Sequence, residues 1–180
     1  MKGQFFLLLI AVSLNVTAQK ILKCSDGELS FFSEAPLENI EAVNKNATSL
    51  INTASKDIVV VVPVRSFRFK RALMEEHFNE KYLESDKYPD ATFKGKINEN
   101  IDFSKDGEYK VTGSGTMNIH GVEKPVNHSG TLIIKAGTVT LKSEFNVAIK
   151  DYNITVPKIM MEKIAEVVSV KLTANYLPFK

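Results

Sequence analysis

Chemistry in this chain has few places to start: one thiol, Cys24, three imidazoles, His77, His120 and His128, and a scatter of serines and carboxylates. A serine hydrolase needs its nucleophile on a strained strand-to-helix turn. The nearest string, Gly113-Ser114-Gly115, sits inside a run of alternating apolar and polar residues that points Ser114 away from the apolar face, so it is set aside. Cys24, His77, His120 and His128 lack the close ligand spacing of helical or knuckle metal sites. Neither a glycine-rich phosphate loop nor a dinucleotide fingerprint is present in the sequence. No catalytic residue, metal or tightly held cofactor is therefore expected. A single cysteine cannot close an internal disulfide, and Cys24 reads as a spare surface or strand thiol. Lipid attachment there would call for small residues just before it, where Leu22-Lys23 stand.

Binding remains, and strands must position whatever binds. From Phe93 onward short runs alternate between apolar and polar, the period of half-buried antiparallel strands. Tyr109, Val111, Met117 and Ile119 share one face, while Lys110, Thr112, Ser114, Thr116 and Asn118 share the other. Similar runs cover Val139 to Ile149 and Val168 to Tyr176, with earlier candidates at Leu29 to Ser33, Asn46 to Thr53 and Ile58 to Val64. The pattern makes roughly eight strands. One segment breaks it: Arg68 to Leu83, with Phe67 just before it, sets Phe67, Met74, Phe78 and Tyr82 at helical spacing between charged residues. It is read as an amphipathic helix packed on the sheet. A second helical turn is expected at Lys158 to Ile164, after Pro157.

Turn chemistry fixes registers. His120-Gly121 suits a two-residue hairpin that accepts positive φ, pairing Ile119 with Val122, Met117 with Lys124, Gly115 with Val126, Gly113 with His128 and Val111 with Gly130. Ala136-Gly137 sets Ile134 opposite Val139, Leu132 opposite Leu141, Gly130 opposite Ser143, His128 opposite Phe145 and Val126 opposite Val147. A three-residue loop, Lys105-Asp106-Gly107, sets Phe103 opposite Tyr109, Ile101 opposite Val111, Glu99 opposite Gly113, Ile97 opposite Gly115, Gly95 opposite Met117 and Phe93 opposite Ile119. A slip of one residue would turn every side chain to the other face, so the shared apolar face supports the scheme.

Such a sheet must cover its apolar face, and roughly eight strands with one helix favour closure on itself. The expected fold is all-β with one amphipathic helix: a closed or nearly closed antiparallel eight-stranded barrel, whose interior suits one small ligand. Parity points Phe93, Ile97, Val111, Gly113, Met117, Val126, His128, Leu132, Leu141, Ser143, Phe145, Val170 and Leu172 inward as wall or ligand-binding residues. Two readings stay open for Glu99. With Glu99 and His128 flanking Gly113, and Ser143 one level away, the three could form a polar anchor for a ligand head group. Alternatively Asn98-Glu99-Asn100 bulges, turning Glu99 to solvent and leaving His128 near the rim.

Residues 1–18 read as a secretory leader: Lys2, the apolar stretch Phe5 to Val12, and the small-residue site Val16-Thr17-Ala18. The mature chain is expected to begin at Gln19 and to form one domain over residues 19–180, periplasmic or secreted, with no membrane span. Lys2 is the sole charge in that leader, so the +2 of the full chain falls by one unit on its removal. Nothing in so small a charge suggests nucleic acid as a partner.

Gly115-Thr116-Met117-Asn118-Ile119-His120-Gly121-Val122-Glu123-Lys124-Pro125-Val126 resembles the glycine, apolar, His-Gly-Val, Lys/Arg-Pro-Val signature of the YceI-like, polyisoprenoid-binding proteins. His77-Phe78-Asn79-Glu80, then Lys87-Tyr88-Pro89-Asp90-Ala91-Thr92-Phe93, is similar to that family's helix and Tyr-Pro-x-x-Phe strand start, and Asp151-Tyr152-Asn153-Ile154 with Pro157 to its late Asp-Tyr-x-Ile segment. The matches fall in order across residues 77 to 157. Thr116 and Asn118 depart from the signature but face outward in the scheme above. The resemblance implies a lipocalin-like barrel, usually periplasmic, enclosing a polyisoprenoid or related lipid, with no shared catalytic motif. Burying ~10 methylene equivalents at ~0.8 kcal/mol each gains about 8 kcal/mol. Lost motion consumes ~4 kcal/mol or more of it. Competing readings are a self-filled barrel acting as a stress or adhesion module, and, disfavoured by the missing nucleophile, a lipid-modifying enzyme.

Overall fold

A computed structural model describes residues 21–157 and 162–179. The strands are β1 (Ile21–Glu34), β2 (Asn39–Asn52), β3 (Asp57–Pro63), the two-residue β4 (Arg68–Phe69), β5 (Asp90–Ile97), β6 (Gly107–Ile119), β7 (Val122–Lys135), β8 (Thr138–Ala148) and β9 (Val167–Pro178). Neighbours run β1-β9-β8-β7-β6-β5-β3-β2, and β1 also pairs with β2, so eight long antiparallel strands close on themselves while β4 rides on β2. The expected leader, residues 1–18, lies outside the described residues.

Both two-residue hairpins form as the turn chemistry requires. His120 and Gly121 take φ of 53° and 75°, Ala136 and Gly137 50° and 79°, the double positive φ that matches the twist of paired strands. The β6–β7 register follows the turn along its whole length, with Gly113 opposite His128. The β7–β8 register holds from Ile134↔Val139 to Gly130↔Ser143, where the ladder stops. The expected backbone pairs His128 with Phe145 and Val126 with Val147 are not made; above Gly130 and Ser143 the two strands part.

The β5–β6 register is corrected by two residues: Phe93 faces Met117, Gly95 faces Gly115 and Ile97 faces Gly113. Strand β5 ends at Ile97, and 98–106 is an irregular loop rather than a three-residue turn. In that loop Asp102 accepts from the Ser104 amide and hydroxyl, and the Asn98 amide donates to the Thr112 carbonyl. Close approach explains the choice. A Cβ built on Gly95 would lie 2.9 Å from the Gly115 Cα, so only a register that sets glycine against glycine lets the backbones cross here. The shift is even, so the inward face is unchanged.

The helix is shorter than its periodicity suggests. It spans Ala72–His77 (α1) and widens into a π turn over Phe78–Tyr82, where Asn79 Nδ2 donates to the Glu75 carbonyl. Arg68–Phe69 extends instead along β2, because an unpaired stretch of that strand offers ladder bonds, and Glu75 accepts from both the Phe69 amide and Arg68. Of the expected turn at Lys158 to Ile164, the part from Glu162 is described and is a simple turn. The early strands are longer than expected because bulges between Cys24 and Leu29 interrupt the alternation of β1.

The interior has two levels. At the end carrying the Ala136-Gly137 turn, Ile51, Leu132, Ile134, Val139, Ala174 and Tyr176 are buried to 3% exposure or less. The Tyr176 hydroxyl donates to Ser49 Oγ, which donates to the Val59 carbonyl, and burial raises the phenol's pKa. The other end, with His120-Gly121 and α1, is hollow.

Candidate functional site

The hollow half holds a cavity of about 290 Å³, near the lower bound of ~300–1,000 Å³ typical of small-molecule sites. Its floor is the top of the packed half: Ile58, Ile97, Val111, Leu141 and Leu172. One wall is aromatic. Phe31, Phe67, Phe69 and Phe78 form a cluster with ring centroids 5.0–5.8 Å apart, edge-on, tilted or stacked, as aromatic quadrupoles prefer. Strand β1 brings Phe31, the chain around β4 brings Phe67 and Phe69, and the π turn brings Phe78. Met74, His77 and Tyr82 from the helical segment and Ile154, Val156 and Lys163 from the segment after β8 complete the mouth with Glu38.

The floor and the rest of the wall carry the residues expected from parity. Phe93, Ile97, Val111, Gly113, Met117, His128, Leu141, Ser143, Phe145, Val170 and Leu172 all line the cavity. Leu132 does not: it is fully buried in the packed half, one level below. Val126 faces inward but packs with Met117, Val147, Tyr152 and Val170 beside the cavity. Glu99 is a correction. It lies past the end of β5, opposite no residue of the ladder, and accepts the Thr112 amide at 2.7 Å. That bond holds its carboxyl below the usual range. The anchor that would join Glu99 to His128 is not formed, because the two-residue shift puts Ile97 opposite Gly113 instead.

His128 stacks on Phe145 with centroids 3.9 Å apart and planes at 25°, and tilts toward Phe93 at 6.4 Å. Burial pushes its pKa down, favouring neutral imidazole. Its Nε2 is buried without a hydrogen-bond partner among the described residues. Ser143 donates its hydroxyl to the Ser129 carbonyl at 2.7 Å, capping the last rung before β7 and β8 part.

His120, read from sequence as a hairpin-turn residue, ties the roof together. Its Nε2 lies 2.7 Å from Glu84, just after the π turn, and its Nδ1 3.1 Å from the carbonyl of Tyr152, while its ring meets Tyr88 edge-on at 4.7 Å. Three segments that close the hollow end thus converge on one imidazole. The aromatic cluster and this tie were both missed. Period-two spacing of Leu29, Phe31 and Ser33, and of Phe67 and Phe69, was available as a signal for the first; nothing local signals the second.

Among the described residues no group of three or more His, Cys, Asp or Glu side chains is placed to hold a metal. No described helix is long and apolar enough to cross a membrane.

The family model described as YceI-like domain matches residues 15–176. No curated protein matches the sequence. Among solved structures, a polyisoprenoid binding domain from Saccharophagus degradans, implicated in plant cell wall breakdown, superposes with a TM-score of 0.74 at 14% identity, over 89% of this chain and 98% of that one. BcnA of Burkholderia cenocepacia gives 0.69 at 18% identity, over 83% and 95%. A YceI protein of Campylobacter jejuni gives 0.64 at 16% identity, over 82% and 89%. At these identities the structural likeness concerns the fold.

Proposed function

The chain belongs to the YceI-like domain family, and from that premise we propose that it is an exported carrier enclosing one apolar or amphipathic lipid of polyisoprenoid, quinone or fatty acyl type. The observation that carries the reading is the cavity: a closed barrel leaves its upper half unfilled and lines it with phenylalanine, methionine and aliphatic side chains. An empty apolar space of that size forfeits packing contacts that a hydrocarbon would restore. The polyisoprenoid named for the Saccharophagus degradans domain supplies the ligand class considered first. Within this reading Phe93, Ile97, Val111, Gly113, Met117, Leu141, Ser143 and Phe145 contact the ligand's chain. Leu132, Val126 and Glu99 support the wall from outside the cavity.

Binding rather than turnover is proposed because the wall presents mostly carbon to its contents; among the described residues Glu38 is its only carboxylate and Lys163 its only ammonium, beside the imidazoles of His77 and His128. The packed lower half restricts length. A tail longer than the cavity continues through the mouth. Export rests on the leader at residues 1–18, and the secreted product is expected to start at Gln19.

Purification from the source organism, organic extraction and mass spectrometry test the carrier reading. A stoichiometric lipid displaced by a competing fluorescent probe is the expected result. Protein that arrives without lipid, and whose interior takes up no apolar probe, would refute it.

A further inference from the structure

Buried polar atoms are almost always paired, and His128 Nε2 has no partner among the described residues. Its surroundings explain why the chain itself does not satisfy it. Phe145 covers one face of the ring and Phe93 lies beyond an edge, both carbon. The Ser143 hydroxyl on the adjoining strand is committed to the Ser129 carbonyl. The position in the barrel is equally specific: His128 and Phe145 stand just above the last β7–β8 pair, so two stacked rings fill the seam where backbone bonds would otherwise run. Such rings can turn without breaking a ladder.

We propose that His128 supplies the hydrogen bond that recognises an uncharged oxygen, a hydroxyl or carbonyl, on the lipid held in this cavity. The inference rests on the carrier reading and adds the chemical class of the head group. Burial keeps the imidazole neutral, with one N–H and one lone pair, which matches a hydroxyl on both counts and a carbonyl on one. An anionic head would call for a cation beside it. The one lysine of the wall among the described residues, Lys163, belongs to a segment bonded to Leu37 and Ser33 rather than to β7 or β8. If His128 merely filled space, leucine or phenylalanine would serve as well.

The test uses the delipidated mature chain and three probes: farnesol, the hydrocarbon of equal chain length, and farnesyl phosphate. The wild type is expected to bind farnesol about tenfold more tightly than the hydrocarbon, the worth of one net hydrogen bond. His128→Leu should abolish that preference by weakening farnesol alone, and His128→Phe, which keeps a ring on Phe145, should do the same. His128→Gln should restore part of it. Farnesol, but not the hydrocarbon, should move the ¹⁵N resonance of His128 Nε2. Retained preference in both His128→Leu and His128→Phe, or tightest binding of farnesyl phosphate, overturns the assignment while leaving the carrier reading intact. Failure of all three probes to bind the wild type overturns the carrier reading and this inference with it.

Discussion

Leu132 and Leu141 face each other across the β7–β8 ladder, yet the two-level interior predicts different costs for truncating them. Leu132 is 0% exposed in the packed half, whereas Leu141, at 6%, lines the cavity. Alanine at either position removes three carbons, worth ~2.5 kcal/mol of transfer at ~0.8 kcal/mol per methylene. At Leu132 the surrounding side chains are already close-packed, so the vacated space remains as a new void. A void of ~60–70 Å³ at ~24 cal/mol per Å³ adds ~1.5 kcal/mol, for a total near 4 kcal/mol. At Leu141 part of the side chain already borders empty space, so fewer contacts are lost and the enlarged cavity can admit ligand; the expected cost is ~2 kcal/mol. Urea unfolding of the delipidated proteins, read as midpoint shifts at unchanged slope, measures both. Saturating lipid should narrow the deficit of Leu141→Ala and leave that of Leu132→Ala unchanged. Equal losses, or a larger loss at Leu141, would refute the division of the barrel into a filled and a hollow half.

His120→Ala should cost ~1–3 kcal/mol, because it strips partners from Glu84 and the Tyr152 carbonyl, and should speed lipid exchange by loosening the roof; denaturation and stopped-flow displacement read the two effects. Glu99 has a lowered folded-state pKa, held there first by the Thr112 amide, so its contribution to stability is present above the ordinary carboxylate range and lost as pH falls through the lowered value. Glu99→Gln should flatten that part of the acid unfolding profile without changing lipid affinity. Gly115→Ala should destabilise by ~1–3 kcal/mol or more, since its Cβ would lie 2.9 Å from the Lys94 carbonyl carbon. Gly113→Ala, whose Cβ meets Phe93 at 3.5 Å, should fold and bind a smaller ligand; thermal melts and binding assays separate the pair.

What was legible in the sequence was local or periodic. The turns at His120-Gly121 and Ala136-Gly137 encode their registers through positive φ, and both formed as read. Alternation placed the wall residues of β5 to β9 on the inward face. The helix was overextended because Phe67, Met74 and Phe78 fit a helical stripe, although Phe67 and Phe69 fit a strand equally well. The free ladder positions on β2 decided between them, and that is a tertiary fact. The roof around His120 was hidden for the same reason, since Glu84 and Tyr152 are 36 and 32 residues away from it in sequence.

The Glu99 correction shows which kinds of inference survive an error in register. An even shift keeps every side chain on its face, so the claim that Phe93, Ile97, Val111 and Met117 point inward was insensitive to whether β5 slid by two residues. A claim about a pair has no such protection. Glu99 could meet His128 only if it stood opposite Gly113, and the close crossing of Gly95 over Gly115 gave that place to Ile97. The same crossing left His128 without the carboxylate that one of the two readings of Glu99 gave it, and left residues 98–100 outside the ladder as the other reading had it. That its Nε2 has no partner among the described residues is thus a consequence of where the glycines fall, and the contact proposed for it is one that the oxygen of a ligand would supply.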